Sequence, residues 1–471
     1  MTRTVTTVNP ATGEALEAYN AADLDAVLGV LAAVHAAQPG WAAVPVEERA
    51  DRLRAIGVQL RKQRDELAAL MTAEMGKPVA EARAEIEKSA TACDYYAADG
   101  LAALAPQTVD TGNQRSWVAY EPLGVVLAVM PWNFPYWQVL RFAAPTLLAG
   151  NTAILKHSPN VTGCALAIQK VFGDAGLAAD VFRSIVVAEA DVNDITAALI
   201  DDDRVAAVSL TGSERAGSAV AASAGRAVKK SLLELGGSDP FVVLDDADLD
   251  IAVASAVKSR FINGGQSCLA AKRFIVHRAV ADEFTRRFAA AVADLQVGDP
   301  TDPGTAIGPM ARADLLDGLE RQVGASVEAG ATVLTGGSPL VGAGAWFAPT
   351  VISDVTLDMP VMAEETFGPV AAIIAVDDDD EAVTVANATR YGLAASVWST
   401  DAARALALGC RITSGALFVN AVVSSDPRLP FGGTKHSGYG RELGLAGATE
   451  FTNIRTYVIG TGTLPSGPAT E

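Results

Sequence analysis

Apolar side chains in the first hundred residues recur at the spacing of an α-helix. Between Asp23 and about Cys93 they return at steps of three or four residues, or at sums of those steps, with Arg, Lys and Glu between them. The repeating positions are Leu53, Ile56, Leu60, Leu67 and Leu70. Such spacing places apolar groups on one face of a helix. The region is therefore predicted to be helical, with a break at Gly76-Lys77-Pro78.

The pattern changes after residue 122 to short apolar runs that alternate with longer amphipathic ones. Strands are predicted over residues 125–129, 152–155, 184–187 and 205–210, and helices over residues 162–176 and 191–200. Fully apolar strands separated by helices are typical of a parallel sheet that is covered on both faces.

A second alternating block runs from Phe241 to about Asn420. It contains predicted strands at 241–244 and 273–276 and a predicted helix at 279–295. The acidic run from Asp377 to Glu381 is expected to be a solvated loop and helix start rather than a metal site. A chain of 471 residues is too long for one core, so an α/β protein with at least two domains is predicted.

One short stretch does not fit either block. Residues 114–121 contain Trp117, Val118 and Tyr120 and end at Pro122, which favours a strand. This strand is expected to form an arm that pairs with another subunit. The tail beyond Gly460, rich in Gly, Thr, Pro and Ser, is expected to be frayed.

Composition excludes several classes of function. The formal net charge of -19 argues against binding to nucleic acid or an anionic membrane. The N-terminus lacks an apolar signal segment, and the apolar run at 123–130 is far shorter than the roughly 20 residues that span a bilayer. Four cysteines and four histidines are scattered, so neither disulfides nor a metal site is expected. A soluble cytoplasmic protein is predicted.

Two glycine-rich turns carry the candidate chemistry. Asn263-Gly264-Gly265-Gln266-Ser267-Cys268 places a thiol after a flexible backbone, and Glu234 precedes the pair Gly236-Gly237. A nucleophile and a base on such turns form a catalytic pair in outline. Cys164 and Cys410 lie in apolar runs and are expected to pack in the core. The segment 211–217 joins a predicted strand to a helix, which suits a pyrophosphate at a helix N-terminus.

Four motifs in one order make the chain resemble the aldehyde dehydrogenase superfamily over nearly its full length, most closely the bacterial succinate-semialdehyde dehydrogenases. They are Pro131-Trp132-Asn133-Phe134-Pro135, Glu234-Leu235-Gly236-Gly237, Gly265-Gln266-Ser267-Cys268 and Glu365-Thr366-Phe367-Gly368-Pro369. The segments 131–141, 156–160 and 234–240 match those enzymes best.

The resemblance implies catalytic roles for Cys268, Asn133 and Glu234. Cys268 would attack the aldehyde as a thiolate, and the Asn133 amide with the Cys268 backbone N–H would stabilise the oxyanion. Glu234 would activate the water that hydrolyses the thioester, for which a raised pKa would be suited. Glu442 matches a family position near the catalytic glutamate, with a helix cap or a surface position as the alternative.

The resemblance also implies a nicotinamide cofactor, NADP or NAD. Its binding set would be Trp132, Lys156, Ser158, Pro159, Gly212, Ser213, Glu365 and Phe367. Family members selective for NAD often carry glutamate where this chain has Pro159. No carboxylate is then expected to repel a 2′-phosphate beside Lys156 and Ser158, which favours NADP. A loop variant without effect on cofactor choice is the alternative.

For the substrate, the resemblance implies that Arg141 binds the carboxylate of succinic semialdehyde, together with Trp137 and Ser425. The alternative for Arg141 is a structural salt bridge. A helix beginning after Pro135 would place Trp137 and Arg141 on one face. Ile262 stands where some relatives carry a second arginine, so Arg260 or Arg428 would have to compensate.

The resemblance implies a Rossmann-like cofactor domain over residues 1–105 and 123–235 and a catalytic α/β domain over 236–445. Residues 106–122 and 446–471 would form the arm of a homodimer or homotetramer. The expected reaction is oxidation of an aldehyde by NAD(P)+, with succinic semialdehyde as the first substrate candidate. Other aliphatic aldehydes or semialdehydes, thioester release by phosphate or coenzyme A, and a non-catalytic scaffold are the alternatives.

Overall fold

The computed structural model describes residues 3–461, so the predicted frayed tail lies mostly outside the described residues. The N-terminal elements are a strand pair and a helical group: β1 (Thr4–Val8), β2 (Ala15–Asn20), α1 (Leu24–Ala42), α2 (Val46–Lys62), α3 (Arg64–Met75), α4 (Val79–Ala98) and α5 (Gly100–Leu104). The predicted helical region is confirmed as separate helices, and α3 ends at Gly76, whose φ is 78°.

The elements that follow are those of an arm and a first α/β unit. They are β3 (Gln107–Thr108), β4 (Arg115–Pro122), β5 (Val125–Met130), α6 (Trp137–Leu148), β6 (Thr152–His157), α7 (Thr162–Asp174), β7 (Phe182–Ile185), α8 (Val192–Asp201), β8 (Val205–Thr211), α9 (Glu214–Arg226) and β9 (Lys230–Glu234).

A second α/β unit and a C-terminal strand complete the chain. They comprise β10 (Asp239–Val243), α10 (Leu249–Phe261), β11 (Ala271–His277), α11 (Arg278–Ala293), α12 (Ala313–Glu328), β12 (Thr332–Thr335), β13 (Thr350–Ser353), α13 (Pro360–Ala363), β14 (Val370–Val376), α14 (Asp379–Asn387), β15 (Ala394–Trp398), α15 (Ala402–Gly409), β16 (Ala416–Val419), β17 (Gly438–Tyr439), α16 (Gly444–Thr449) and β18 (Thr452–Ile459).

The first large sheet has the strand order β17-β9-β8-β5-β6-β7. Strands β5 to β9 run parallel, as the alternating pattern predicts, and β17 is antiparallel to β9. Strands β6 and β7 lie on one side of β5, and β8 and β9 lie on its other side. This reversal makes a switch point at the carboxyl ends of the strands. The prediction of a strand at 184–187 is wrong by about two residues, because β7 begins at Phe182, whose side chain packs in the core.

The second large sheet has the order β12-β13-β14-β11-β10-β15-β16, with only β12 antiparallel among these seven described strands. Only four residues separate the end of β9 at Glu234 from the start of β10 at Asp239. The carboxyl edge of the first sheet therefore leads directly to the amino edge of the second.

The third sheet, in the order β18-β4-β3, contains the predicted arm strand. Strands β4 and β18 pair over eight residues each, and Trp117 stacks on Tyr457 with ring centroids 4.7 Å apart. The predicted domain boundaries stay a prediction. Within residues 3–461 no helix is long and apolar enough to cross a bilayer.

Candidate active site

The glycine-rich turn before Cys268 adopts a backbone that few residues tolerate. Asn263, Gly264 and Gly265 have φ values of 54°, 59° and 74°. A Cβ at Gly265 would collide with the backbone of Gly368 in the loop before β14. Gly265 is therefore required by the close approach of two backbone segments, whereas Gly264 is favoured by its positive φ.

A buried lysine is hydrogen-bonded to the backbone around Cys268. Lys272 is fully buried, and its Nζ donates to the carbonyl oxygens of Ser267 at 3.0 Å, Cys268 at 2.9 Å and Ala270 at 3.3 Å. The same Nζ lies 3.5 Å from Glu365 Oε1. Lys272 thus joins the thiol loop to the Glu365 loop, a function that sequence reasoning missed.

Cys268 is half-buried and faces charges of both signs. Burial raises the pKa of its thiol to about 12, while the cations Arg141 and Lys272 act in the opposite direction and Glu234 adds to the rise. Cys164 is buried in the core as predicted, but the same prediction for Cys410 is wrong, because it lies exposed at the end of α15.

The Asn133 side chain is held against the thiol loop. Its Nδ2 donates to the carbonyl of Gln266 at 3.1 Å, and its Oδ1 accepts from Gln138 Nε2 at 2.9 Å. A side-chain amide nitrogen carries two hydrogens. One hydrogen donates to Gln266, which leaves the second hydrogen of the amide for another acceptor.

Three charged residues of α4 and the turn before it support this geometry, and sequence reasoning did not single them out. The buried Lys77 and Glu85 form an ion pair, and Lys77 Nζ also donates to the Asn133 carbonyl at 3.0 Å. Glu85 Oε1 accepts from the backbone N–H groups of Tyr136 and Trp137 at 2.9 and 3.0 Å. Their signal was the four-residue spacing of Glu81 and Glu85 on one face of α4, with Lys77 four positions before Glu81.

Glu81, the middle member of that row, reaches the thiol loop directly. Its Oε2 accepts from the backbone N–H of Asn263 at 2.7 Å. Asn263 Nδ2 in turn donates to the Asn133 carbonyl at 2.8 Å. Asn133 and the turn that precedes Cys268 are therefore bonded to each other, and the turn is also bonded to α4.

Glu234 ends β9 in a buried site, with 2% of its surface exposed. Burial raises the pKa of Glu234 to about 8; Arg141 opposes this rise and Glu442 adds to it. Glu234 Oε1 has no hydrogen-bond partner among the described residues, and a Cβ on Gly432 would lie 2.8 Å from it. A buried acceptor left open in this way has the character of a general base.

Glu442 is buried, so the alternative of a surface position is wrong, and it does not cap α16, whose N-cap is Leu443. Its Oε2 lies 2.5 Å from Arg141 Nε, and both side chains are only 3% exposed. Arg141 Nη2 also donates to Thr211 Oγ1 at 3.2 Å. The structure thus shows the salt bridge that was the alternative interpretation of Arg141.

The predicted cofactor residues of the first sheet lie at its carboxyl edge. Lys156 is buried near the end of β6, where burial lowers its pKa to about 8. Gly212 and Ser213 join β8 to α9, and Ser213 Oγ accepts from Ala216 N at 3.3 Å as the helix N-cap. A Cβ built at Gly212 would make only an ordinary van der Waals contact, at 3.6 Å from the Leu210 side chain. This helix terminus suits a pyrophosphate.

The remaining cofactor candidates lie across from that edge. Trp132 and Phe367 meet edge to face with ring centroids 5.7 Å apart. Glu365 Oε1 accepts from Gly237 N at 3.0 Å, and a Cβ on Gly236 would collide with its carboxylate. The segment that contains Glu365 and Phe367 therefore contacts both Trp132 and the Gly236-Gly237 turn. These residues form one wall between the sheets, and the residues present fit a dinucleotide.

Ser158 and Pro159 line a separate cavity of about 720 Å³. Glu189, after β7, lines the same cavity and is electrostatically coupled to Lys156 and Arg312. The chain thus has proline at position 159, as the sequence shows, but a carboxylate from another segment faces the same cavity. Sequence reasoning missed Glu189 because it is thirty-three positions from Lys156 in the chain and reaches it only through the pairing of β6 with β7.

A cavity of about 230 Å³ opens at Cys268. Its lining includes the three predicted substrate residues, Arg141, Trp137 and Ser425, together with Lys88, Lys258 and Ile262. The two proposed compensators for Ile262 are engaged elsewhere. Arg260 is fully buried and donates to the carbonyl of Thr366 at 3.0 Å, whereas Arg428 is exposed and paired with Asp426 at 2.6 Å.

Comparison with known proteins bears on this geometry. A profile of the aldehyde dehydrogenase family matches residues 1–457. A succinate semialdehyde dehydrogenase [NAD(P)+] of Escherichia coli is 48% identical over 95% of this chain and 96% of its own. A succinate-semialdehyde dehydrogenase [NADP(+)] of Mycobacterium ulcerans is 46% identical over 97% of this chain and 100% of its own. The crystal structure of a Streptococcus pyogenes succinic semialdehyde dehydrogenase in complex with NADP+ superposes with a TM-score of 0.93 at 36% identity, covering 97% and 100% of the two chains.

Proposed function

The chain belongs to the aldehyde dehydrogenase family, and from that premise we propose that it oxidises succinic semialdehyde to succinate with NADP+ or NAD+. The observation that carries this proposal is the cavity at Cys268, which has a thiol at one end and cationic side chains around it. An aldehyde with a carboxylate at its far end matches that distribution of groups. The named activities of the relatives in Escherichia coli and Mycobacterium ulcerans support it.

Cys268 is the proposed nucleophile. The thiol proton first passes to solvent water. The thiolate sulfur then bonds to the aldehyde carbon, the C=O π electrons move to the oxygen, and that oxygen carries the negative charge in the tetrahedral adduct. The free N–H of the Asn133 amide and the Cys268 backbone N–H then stabilise that oxygen, and one such donor contributes ~3–4 kcal/mol. Loss of hydride from the adduct leaves a thioester on Cys268.

The dinucleotide supplies the hydride acceptor when it is bound. In the proposed arrangement, Gly212, Ser213 and the N-terminus of α9 hold the pyrophosphate, and Lys156 binds the adenosine ribose. Glu365 binds the nicotinamide ribose, and the Trp132–Phe367 wall excludes water from the reacting carbon. Both cofactors are accommodated, with NADP+ favoured by Pro159 and Ser158.

Glu234 is the proposed base for thioester hydrolysis. Its open Oε1 accepts a proton from water, whose oxygen then bonds to the thioester carbon as the Cys268 sulfur leaves. Cleavage of the thioester by water distinguishes this function from cleavage by phosphate or coenzyme A. A buried carboxylate with a raised pKa favours the water route over both alternatives.

Substitution of the nucleophile tests the proposal. Cys268→Ala should abolish NADPH or NADH formation from succinic semialdehyde, because no other described cysteine lines the cavity. Cofactor binding, followed by fluorescence quenching, should persist, and Cys410→Ala serves as the matched control. Substantial turnover by Cys268→Ala would contradict the assignment. Succinate formed without added phosphate or coenzyme A, measured by chromatography, would confirm hydrolysis.

Assembly as a homodimer or homotetramer through the arm is also proposed. Ile454, Val458 and Ile459 of β18 are 64%, 54% and 44% exposed. Apolar side chains on an edge strand favour contact with a second copy. A cytoplasmic location is proposed from the four cysteines, none of which is in a disulfide.

A further inference from the structure

Three basic side chains line the cavity at Cys268, and their environments differ. Arg141 lies on α6, Lys88 on α4 and Lys258 on α10. Arg141 is buried, Lys88 is half-buried and Lys258 is exposed. A substrate carboxylate that leaves water needs a charged donor at the end of the cavity.

The positive charge of Arg141 already interacts with carboxyl groups of the protein itself. Its guanidinium lies against Glu442 and is also electrostatically coupled to Glu234, where it counters the rise in pKa of both carboxyl groups. One cation thus serves two buried carboxyl groups. Removing Arg141 would disturb the proposed base as well as the cavity, so an Arg141 variant cannot report on substrate recognition alone.

Lys88 has no such carboxylate partner. Its Nζ donates to Ser425 Oγ at 2.8 Å and lies 4.3 Å from the centroid of the Trp137 ring. It forms no ion pair within residues 3–461. An ammonium group has three N–H donors, and the hydroxyl of Ser425 uses one. The aromatic ring and the hydroxyl hold the charge in place at the cavity wall.

We propose that Lys88, with Ser425 beside it, binds the distal carboxylate of the substrate, and that Arg141 is a positioning residue that balances the charges of Glu234 and Glu442. This assignment rests on the proposed oxidation of succinic semialdehyde. It also accounts for Ile262, since the second cation comes from α4 instead of the position six residues before Cys268. Lys88 is then the specificity-determining residue for a semialdehyde acid over a neutral aldehyde.

Titration of Lys88 provides a signature that a structural role would not have. Burial and the nearby Arg141 lower the pKa of Lys88 to about 8, and Glu85, Asp426 and Cys268 oppose this. A lysine is charged below its pKa and neutral above it. The preference for succinic semialdehyde over butanal should therefore decline as pH rises through about 8, because the free enzyme loses the charge that binds the carboxylate.

The experiment compares kcat/KM for succinic semialdehyde and butanal from pH 6.5 to 9.5 in two variants. Lys88→Met keeps the length of the side chain and removes the charge, so the preference for succinic semialdehyde should fall about 10- to 100-fold while butanal oxidation changes little. Lys88→Arg should retain part of the preference and lose its decline near pH 8, because a guanidinium stays charged.

The exposed Lys258 provides the matched comparison. Lys258→Met should change the preference less than about threefold, because an exposed charge is well hydrated and screened. Arg141→Met should lower kcat for both substrates alike. An unchanged preference in Lys88→Met, or a loss in Lys258→Met as large as that expected for Lys88→Met, would overturn the assignment.

A binding measurement separates this inference from the proposed function. Succinate should protect Cys268 from alkylation by iodoacetamide in the wild type and much less in Lys88→Met, whereas butyramide should protect neither. If the wild type oxidises butanal but not succinic semialdehyde, the proposed substrate is wrong. Protection by succinate that is equal in both proteins would refute Lys88 as the anchor, whatever the substrate is.

Discussion

At the scale of single residues, the protonation of Glu234 is a central variable of the site. Burial raises its pKa to about 8, so at neutral pH much of the carboxyl group is protonated and cannot act as a base. In the proposed mechanism, the carboxylate formed above that pH activates water. The rate of thioester hydrolysis is therefore expected to rise as pH increases through about 8.

Glu234→Gln should separate the two halves of the reaction. The variant should form a first equivalent of reduced cofactor in a burst and then stall, because the thioester lacks an activated water. Rapid-mixing absorbance at about 340 nm, where the reduced nicotinamide absorbs, measures the burst. Unimpaired steady-state turnover would contradict the base role. Glu450→Gln, which removes the half-buried carboxylate partner of Lys230, is the control.

The preference for NADP+ or NAD+ also depends on single residues. Pro159→Glu should shift preference toward NAD+ by about tenfold or more, because a carboxylate there would repel a 2′-phosphate and accept ribose hydroxyls. Glu189→Gln should shift it toward NADP+, because it removes a carboxylate coupled to Lys156. The ratio of kcat/KM with NADP+ to kcat/KM with NAD+ measures the shift in both variants, with Pro159→Ala as control. A wild type with no NADP+ activity would refute this interpretation of Pro159.

At the scale of elements, α4 links parts of the chain that are distant in sequence. Glu85 caps the N-terminus of α6 through the Tyr136 and Trp137 amides, and its partner Lys77 holds the Asn133 carbonyl. Helix N-termini leave N–H groups that need acceptors, and a carboxylate there also favours the helix dipole. The position of Asn133, the proposed oxyanion donor, therefore depends on an ion pair between Glu85 of α4 and Lys77 just before it.

Glu85→Gln should destabilise the protein and impair catalysis together. Removing one charge of a buried pair leaves Lys77 uncompensated, which costs ~3–5 kcal/mol in free energy of unfolding. Urea unfolding followed by circular dichroism measures the loss, and kcat should fall because Asn133 moves. Asp174→Asn breaks the exposed pair with Lys170 and should cost less than ~1 kcal/mol. Equal losses in the two variants would contradict the structural role of Glu85.

At the scale of the whole molecule, the site forms where two sheets meet. Asn133, Gly212 and Glu234 follow strands of the first sheet, whereas Cys268 and Glu365 precede strands of the second. Neither sheet holds a complete site. The short link between β9 and β10 brings the two edges together, so catalysis requires both units to be folded and in register.

The third sheet is the proposed contact between copies of the chain. Ile454→Lys should weaken assembly, because it places a charge on an apolar edge strand that is 64% exposed in the single chain. Light scattering after size exclusion measures the mass. Val341→Lys, at an exposed loop position far along the chain, is the control. A monomeric wild type, or an unchanged assembly in Ile454→Lys, would contradict this contact.

The sequence by itself determined the α/β class, the order of most strands and helices, and the motifs that hold Cys268, Glu234 and Asn133. It could do so because apolar periodicity and glycine-rich turns are local properties that burial and backbone geometry impose directly. Element bounds were predicted less well where packing decides them, as at β7. The antiparallel pairing of Gly438–Tyr439 with β9 had no local signal.

Only the tertiary structure decided which charges meet. Arg141 and Glu442 are 301 positions apart, and Lys88 and Ser425 are 337 apart. The sequence indicates neither contact, because each depends on how α4 and α6 pack against the loops after β16 and β17. The fold pairs Arg141 with a buried carboxylate and leaves Lys88 facing the cavity. Electrostatic partnership in a buried site is a property of position in space, which residue type and local spacing do not encode.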